Sequence, residues 1–221
     1  MSEPTGPPQS PEPRRVPAGR LLATLTSAGL VAGTLIVFVF RGTQPAIQAY
    51  KAKVLRLAIE EVLKAPARYD TLYVLENALT KELANGVDPR DLEQVYVGYT
   101  AEGRRIGFAV VAGEPGFQDM INLIFGYDPT TGQLLGMKVL ENKETPGLGD
   151  NIEKDSTFVS QFEGAEPPLE GVKARGAETA ADEIDMITGA TISSRTVIKI
   201  INDALERVRP LIETYRQANG P

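Results

Sequence analysis

The feature that most constrains this chain is an uncharged, apolar run of 20 residues, Leu21 to Phe40, near its N-terminus. At about 1.5 Å of rise per residue, a helix of this length spans roughly 30 Å, which is the hydrocarbon thickness of a bilayer. A soluble helix of similar length would normally carry a polar face, and this run has none. We therefore predict a single transmembrane helix over residues 21–41.

The surroundings of the apolar run favour an uncleaved anchor over a signal peptide. The run is longer than a typical signal core, and no small-residue cleavage site follows Phe40. Residues 1–20 contain six prolines and almost nothing apolar, which predicts a disordered tail. Basic residues lie on both sides of the run, so the positive-inside rule leaves its orientation open.

Residues 42–91 are predicted to form a helical, membrane-proximal segment. Apolar positions near helical spacing indicate one helix from Gln44 to Ala65, ended by Pro66. A second helix is predicted from Leu72 to Ala84, stopped by the Asn85-Gly86 pair. Neither helix carries a chemical motif, so both are interpreted as spacer or packing elements.

From Leu92 onward the pattern indicates strands. Two β-branched and aromatic segments, 95–99 and 105–112, precede a pair at 119–127 and 134–140. The connection Asp128-Pro129-Thr130-Thr131-Gly132 between the last two has the composition of a hairpin turn. An antiparallel sheet of this kind needs a helix over one face.

The covering helix is predicted from Ile192 to Tyr215, and Pro210 is expected to bend or end it early. Its apolar stripe consists of Val197, Ile201, Leu205, Val208 and Ile212. The predicted fold is therefore α+β, an antiparallel sheet covered by helices on a single N-terminal transmembrane anchor.

The composition excludes several kinds of site. The chain has no Cys, His or Trp. Disulfides, thiolate zinc sites, iron–sulfur clusters and Ser-His-Asp chemistry are therefore excluded, and no metal site or catalytic residue is predicted. A formal charge of −6 argues against a nucleic-acid partner. An electron carrier of this composition would need an organic cofactor.

The segment Asp185-Met186-Ile187-Thr188-Gly189-Ala190-Thr191 lies at the start of the predicted covering helix. A helix N-terminus presents unpaired N–H groups and a partial positive charge, which suit a phosphate. The segment could therefore seat a phosphate beside the Thr191 hydroxyl. Alternatively, Thr191, Ser193 or Ser194 is simply an N-cap, a role that Ser and Thr commonly have.

A second candidate segment follows the hairpin: Glu144-Thr145-Pro146-Gly147-Leu148-Gly149. Its two glycines and one proline predict a tight turn with an exposed leucine. By itself this turn gives little evidence of binding.

Together, in this order, the two segments resemble the motifs of the FMN-binding domain family. That family includes the G subunit of the Rnf ion-translocating electron-transport complex and the C subunit of the sodium-translocating NADH:quinone reductase. The resemblance implies an FMN-binding domain over residues 92–217. Asn142 departs from the family pattern, because many relatives carry His there.

The resemblance also implies the site. A flavin transferase would link FMN through a phosphoester to Thr191, and Asp185, Thr188, Gly189 and Ala190 would form the signature around it. The cofactor-binding residues implied for the second loop are Glu144, Thr145, Pro146, Gly147 and Leu148. Arg195 could offset the phosphate charge or could be a solvated surface residue.

The function implied by the resemblance is an electron relay. The chain would be a single-pass subunit of a membrane ion-translocating oxidoreductase complex, in the bacterial inner membrane, with its flavin domain on the external side. Its partners would be the other subunits. Two alternatives remain open: a tethered module that binds FMN or another phosphate-bearing ligand reversibly, and a structural anchor subunit without a cofactor.

Overall fold

The computed structural model describes residues 17–75, 78–83, 88–89, 92–174 and 180–219. The chain divides into two compact units, Met1–Lys51 and Ala52–Pro221. Helix α1 (Ala18–Val62) contains the whole apolar run and is long and apolar enough to cross a membrane. Most of the predicted proline-rich tail lies outside the described residues, and Ala18 already belongs to α1.

The second unit contains a six-stranded sheet in which every neighbouring pair is antiparallel. Its spatial order is β2-β1-β3-β4-β5-β6. The strands are β1 (Arg68–Leu75), β2 (Ala78–Thr80), β3 (Gln94–Tyr99), β4 (Arg105–Pro115), β5 (Met120–Asp128) and β6 (Gln133–Glu141). The predicted strands and the hairpin between β5 and β6 are confirmed.

The prediction of a helix from Leu72 to Ala84 is wrong, because β1 and β2 occupy this part of the chain. Leu72 is fully buried and pairs with Val95 of β3, so the sheet extends beyond the segment that local pattern identified. A short apolar segment fits either element, and pairing with a neighbouring strand decides between them. The Asn85-Gly86 stop signal lies outside the described residues.

Helix α4 (Thr191–Asn219) covers one face of the sheet. Its predicted apolar stripe is buried, as expected: Val197, Ile201, Leu205, Val208 and Ile212. The expectation that Pro210 could end the helix is wrong, since α4 continues to Asn219. Beyond the proline, Ile212 and Tyr215 pack into the core, and this burial offsets the missing backbone hydrogen bond.

The last turns of α1 cover part of the opposite face. Ala58, Ile59, Val62 and Leu63 form an apolar cluster with Tyr96, Ala109 and Ile124 of the sheet. The backbone approaches closely here: a Cβ on Gly126 would lie 2.3 Å from the carbonyl oxygen of Val62. A glycine is therefore needed where this helix meets β5. Helix α1 ends before Pro66, as predicted.

The segment between β6 and α4 carries four short elements. These are α2 (Asn151–Lys154), α3 (Ser156–Ser160), β7 (Glu170–Val172) and β8 (Glu183–Asp185). The two strands pair in parallel, with Val172 opposite Asp185. Because β8 ends at Asp185, this small sheet sets the position of the segment that leads into α4. The architecture confirms the α+β prediction.

Candidate functional site

A tight turn brings the chain from β8 into α4. Gly189 has φ = 88°, a left-handed conformation that favours glycine. The Ala190 N–H donates to the carbonyl of Ile187 at 3.0 Å and closes the turn. Thr191, the predicted attachment residue, is therefore the first residue of a long helix.

The hydroxyl groups at the start of α4 do not cap the helix. The Ser193 hydroxyl donates to Glu144, and the Ser194 hydroxyl accepts the Ile187 N–H at 3.2 Å, which braces the turn. Thr191 is half-buried, and its hydroxyl has no hydrogen-bond partner among the described residues. The N-cap interpretation is therefore wrong for these three residues.

The backbone at this helix end also offers donors. The N–H of Ser194 makes the bond to the carbonyl of Ala190, at 2.9 Å. The N–H groups of residues 191–193, earlier in the helix, have no carbonyl acceptor within it. Donors of this kind, together with the helix dipole, stabilise an anion placed against them.

Glu144 connects this helix end to two other loops. Its carboxylate is buried, and Oε2 accepts a 2.6 Å hydrogen bond from the Ser193 hydroxyl. Oε1 accepts the backbone N–H groups of Phe117 and Gln118, each at 3.0 Å. A single carboxylate therefore ties together the β4–β5 turn, the loop after β6 and the first turn of α4.

The hydrogen bonds to Glu144 outweigh the effect of its burial. Burial by itself raises the pKa of the carboxyl, because it disfavours the charged form. The Ser193 hydroxyl and the backbone N–H groups of the β4–β5 turn act in the opposite direction. Their combined effect lowers the pKa below the ordinary glutamate value, so the group is ionised at neutral pH.

The loop after Glu144 turns back on itself and faces the Gly189 turn. The Leu148 N–H donates to the carbonyl of Thr145 at 3.1 Å, and the Gly147 N–H donates to Oδ1 of Asp150 at 2.7 Å. A Cβ on Gly189 would lie 3.3 Å from Cδ2 of Leu148. The two predicted motifs are thus in direct proximity in space.

These two motifs line one cavity of about 390 Å³, a volume typical of cofactor sites. Six of the predicted site residues line it: Glu144, Thr145, Leu148, Gly189, Ala190 and Thr191. Gly149, the last residue of the second predicted segment, also lines it, and the structure adds three residues that sequence reasoning did not assign to the site: Phe117, Ile192 and Ser193. Gly149 is required there, because a Cβ would lie 2.8 Å from Glu144 Oε2.

The rim of this cavity is unusually apolar. Outside α1, four large apolar side chains of the described residues are exposed, namely Phe117, Met120, Leu148 and Ile192. All of these except Met120 line the cavity. Exposed apolar side chains that converge on one cavity indicate a site for an apolar group. No local pattern identified Phe117, because it comes from the β4–β5 turn, far from both motifs in sequence.

The remaining predicted residues divide into two groups. Asp185 and Thr188 line a second cavity, of about 590 Å³, which shares Gly189 and Thr191 with the first. Pro146 and Gly147 line neither cavity and instead shape the turn that presents Leu148. Arg195 is exposed and also lines neither cavity, so the structure does not bring it to the site.

Comparison with known sequences agrees with the family resemblance that the two motifs indicate. Residues 116–206 match the FMN-binding domain family. The G subunit of the ion-translocating oxidoreductase complex of Vibrio vulnificus is 30% identical over 193 residues, covering 86% of this chain and 85% of that protein. The corresponding G subunit of Methanosarcina acetivorans is 26% identical over 189 residues, covering 86% of this chain and 93% of that protein.

Solved structures share the fold. NqrC of Shewanella oneidensis is similar with a TM-score of 0.62 and 14% identity, over 76% of this chain and 99% of that one. The C subunit of the Na⁺-translocating NADH-quinone reductase from Parabacteroides distasonis has a TM-score of 0.52 and 21% identity, over 65% and 77% of the two chains.

Proposed function

Because this chain belongs to the family of the G subunits of ion-translocating oxidoreductase complexes, we propose that it is a membrane-anchored, electron-carrying subunit of such a complex and holds FMN on Thr191. The observation that carries this proposal is the joint cavity of the two motifs. Thr191 lines this cavity, and its hydroxyl has no hydrogen-bond partner among the described residues.

The residues of the site fit FMN. The unpaired N–H groups at the start of α4 suit its phosphate, and the small residues Gly189 and Ala190 line the cavity beside Thr191. The apolar side chains of Phe117, Leu148 and Ile192 would hold the flavin ring and limit its contact with water. When bound, FMN supplies a carrier that accepts electrons singly or in pairs.

Attachment would use the Thr191 oxygen as the nucleophile. A flavin transferase would supply a flavin nucleotide whose phosphate carries a leaving group. The bond from phosphorus to that group would break as the bond from Oγ1 to phosphorus forms, and the Thr191 proton would end on the departing group. The chain itself would hold Oγ1 in position at the first turn of a long helix whose apolar side is buried. A covalent link keeps the carrier at one place and at high effective concentration.

The membrane anchor completes the proposal. Helix α1 would hold the flavin domain at the membrane, beside the partner subunits with which it exchanges electrons. We assign the chain to the bacterial inner membrane, with the flavin domain on the external side. A carrier of this kind has no substrate chemistry of its own.

The decisive experiment is the intact mass of the denatured chain after co-expression with a flavin transferase. We expect a gain equal to one FMN phosphoester on the wild type and none on Thr191→Ala. A flavin that is lost on denaturation would support reversible binding instead. If the wild type gains no mass while a known acceptor is modified in the same cells, covalent attachment is ruled out.

A further inference from the structure

The second cavity beside Thr191 contains a positively charged residue that neither motif includes. This second cavity is lined by Lys173 and by polar residues in or next to α3, β8 and the turn before α4. Thr191 lines this cavity and the first one, so a group bonded to its oxygen would be adjacent to both. A phosphodiester on Thr191 would bring one negative charge into that space.

The charged groups around this space are few. Among the described residues, the side chains that line the two cavities include three carboxylates, Glu144, Asp155 and Asp185, and a single cationic group, that of Lys173. The carboxylates would repel a phosphate unless they were engaged elsewhere. Among the described side chains that line the two cavities, that of Lys173 therefore carries the charge that could add to the helix N–H groups in offsetting a phosphate.

The three carboxylates are all engaged in hydrogen bonds. Glu144 is bound by Ser193 and by the β4–β5 turn. Oδ1 of Asp155 caps α3, accepting the N–H groups of residues 157 and 158. Oδ1 of Asp185 accepts the Ala174 N–H at 2.9 Å. The Lys173 ammonium, by contrast, has no hydrogen-bond or ion-pair partner in the described parts of the chain.

The backbone fixes Lys173 beside the motif. The preceding residue, Val172, pairs with Asp185 in the parallel sheet, and its carbonyl accepts the Met186 N–H at 2.9 Å. The following residue, Ala174, is held by the Asp185 carboxylate. The amide of Gln161 binds both the N–H and the carbonyl of Asp185, at 2.7 and 3.2 Å. Asp185 thus positions the loop that carries Lys173.

We propose that the Lys173 ammonium binds the phosphate of the flavin on Thr191, and that Asp185 is the positioning residue that holds Lys173 there. This inference rests on the attachment of FMN proposed above. Lysine is a common phosphate ligand in proteins, and its long stem lets the ammonium reach a group beside its own loop.

Lysine acetylation followed by mass spectrometry tests the contact directly. The full-length wild-type chain, made with and without a flavin transferase, is treated with the N-hydroxysuccinimide ester of acetic acid. We expect Lys173 to react several-fold more slowly in the flavin-bearing chain, because its ammonium is engaged. Lys143 and Lys199, which line neither cavity, should react equally in both. Equal reaction of Lys173 in the two chains would overturn the proposal.

Variants separate charge from packing. Lys173→Met should slow flavin attachment about tenfold or more, the loss typical of a hydrogen bond to a charged group, and Lys173→Arg should retain most of the rate. Arg195→Gln removes a neighbouring surface charge and should behave as wild type. An unchanged rate in Lys173→Met, or an equal loss in both Lys173 variants, would contradict a phosphate contact. Absence of any flavin on the wild type would instead refute the proposed attachment.

Discussion

The Ser193 hydroxyl donates a 2.6 Å hydrogen bond to Oε2 of Glu144, a residue 49 positions earlier in the chain. Both side chains are buried. This bond joins the first turn of α4, which carries Thr191, to the loop that presents Leu148. The bond therefore directly connects two of the segments that line the cavity.

The coupling between these two side chains is measurable. Glu144→Gln and Ser193→Ala should each lower the free energy of unfolding by about 1–3 kcal/mol, since the first replaces the charged acceptor of three hydrogen bonds with a neutral amide and the second removes the donor to buried Oε2. The double variant should lose less than the sum, by about 1 kcal/mol. Urea unfolding followed by tyrosine fluorescence gives all four values, because the chain has seven Tyr and no Trp. Strict additivity would show that the bond contributes nothing.

Glu144 should also make stability depend on pH. Its pKa is lower in the folded chain than its ordinary value, so the unfolded chain binds the proton more readily. The resulting stabilisation is fully present above the unfolded-state pKa, about 4.3, and is lost as the pH falls through the lower folded-state value. We expect the stability difference between wild type and Glu144→Gln to shrink over that acidic range. A difference that does not vary with pH would argue against this assignment.

Gly189 and Gly132 form a matched pair for testing the turn before Thr191. They have φ of 88° and 79°, and a Cβ on Gly132 would meet nothing within 4 Å. Alanine at either position should destabilise the chain by roughly 1 kcal/mol, through left-handed strain. Only Gly189→Ala should also slow flavin attachment, measured by intact mass over time. Equal attachment rates in the two variants would mean that this turn does not govern the reaction.

The apolar rim should protect the flavin from water. Leu148→Ser should make the fluorescence of attached FMN more easily quenched by iodide, because a half-exposed apolar side chain is removed from the cavity. Met120→Ser is the control, since Met120 is similarly exposed but does not line the cavity. Identical quenching in the two variants would place the flavin ring away from Leu148.

Much of this protein follows from local sequence. The apolar run that ends at Phe40 needs no partner to be recognised, because hydrophobicity and length alone suit it to a bilayer. The hairpin at Asp128 and the apolar stripe of α4 are also encoded in short segments, through turn chemistry and helical periodicity. Each of the two motifs is contiguous, so its residues can be named from the amino-acid sequence alone.

Tertiary structure decided everything that depends on residues distant in sequence. Leu72 is in a strand because β3 pairs with it, and α4 passes Pro210 because the residues beyond are buried. Phe117 and Lys173 reach the surroundings of Thr191 only through a sheet turn and a small parallel sheet. Local patterns report the intrinsic preferences of a segment, whereas these contacts form only when the whole chain has packed, and they determine what surrounds the reactive oxygen.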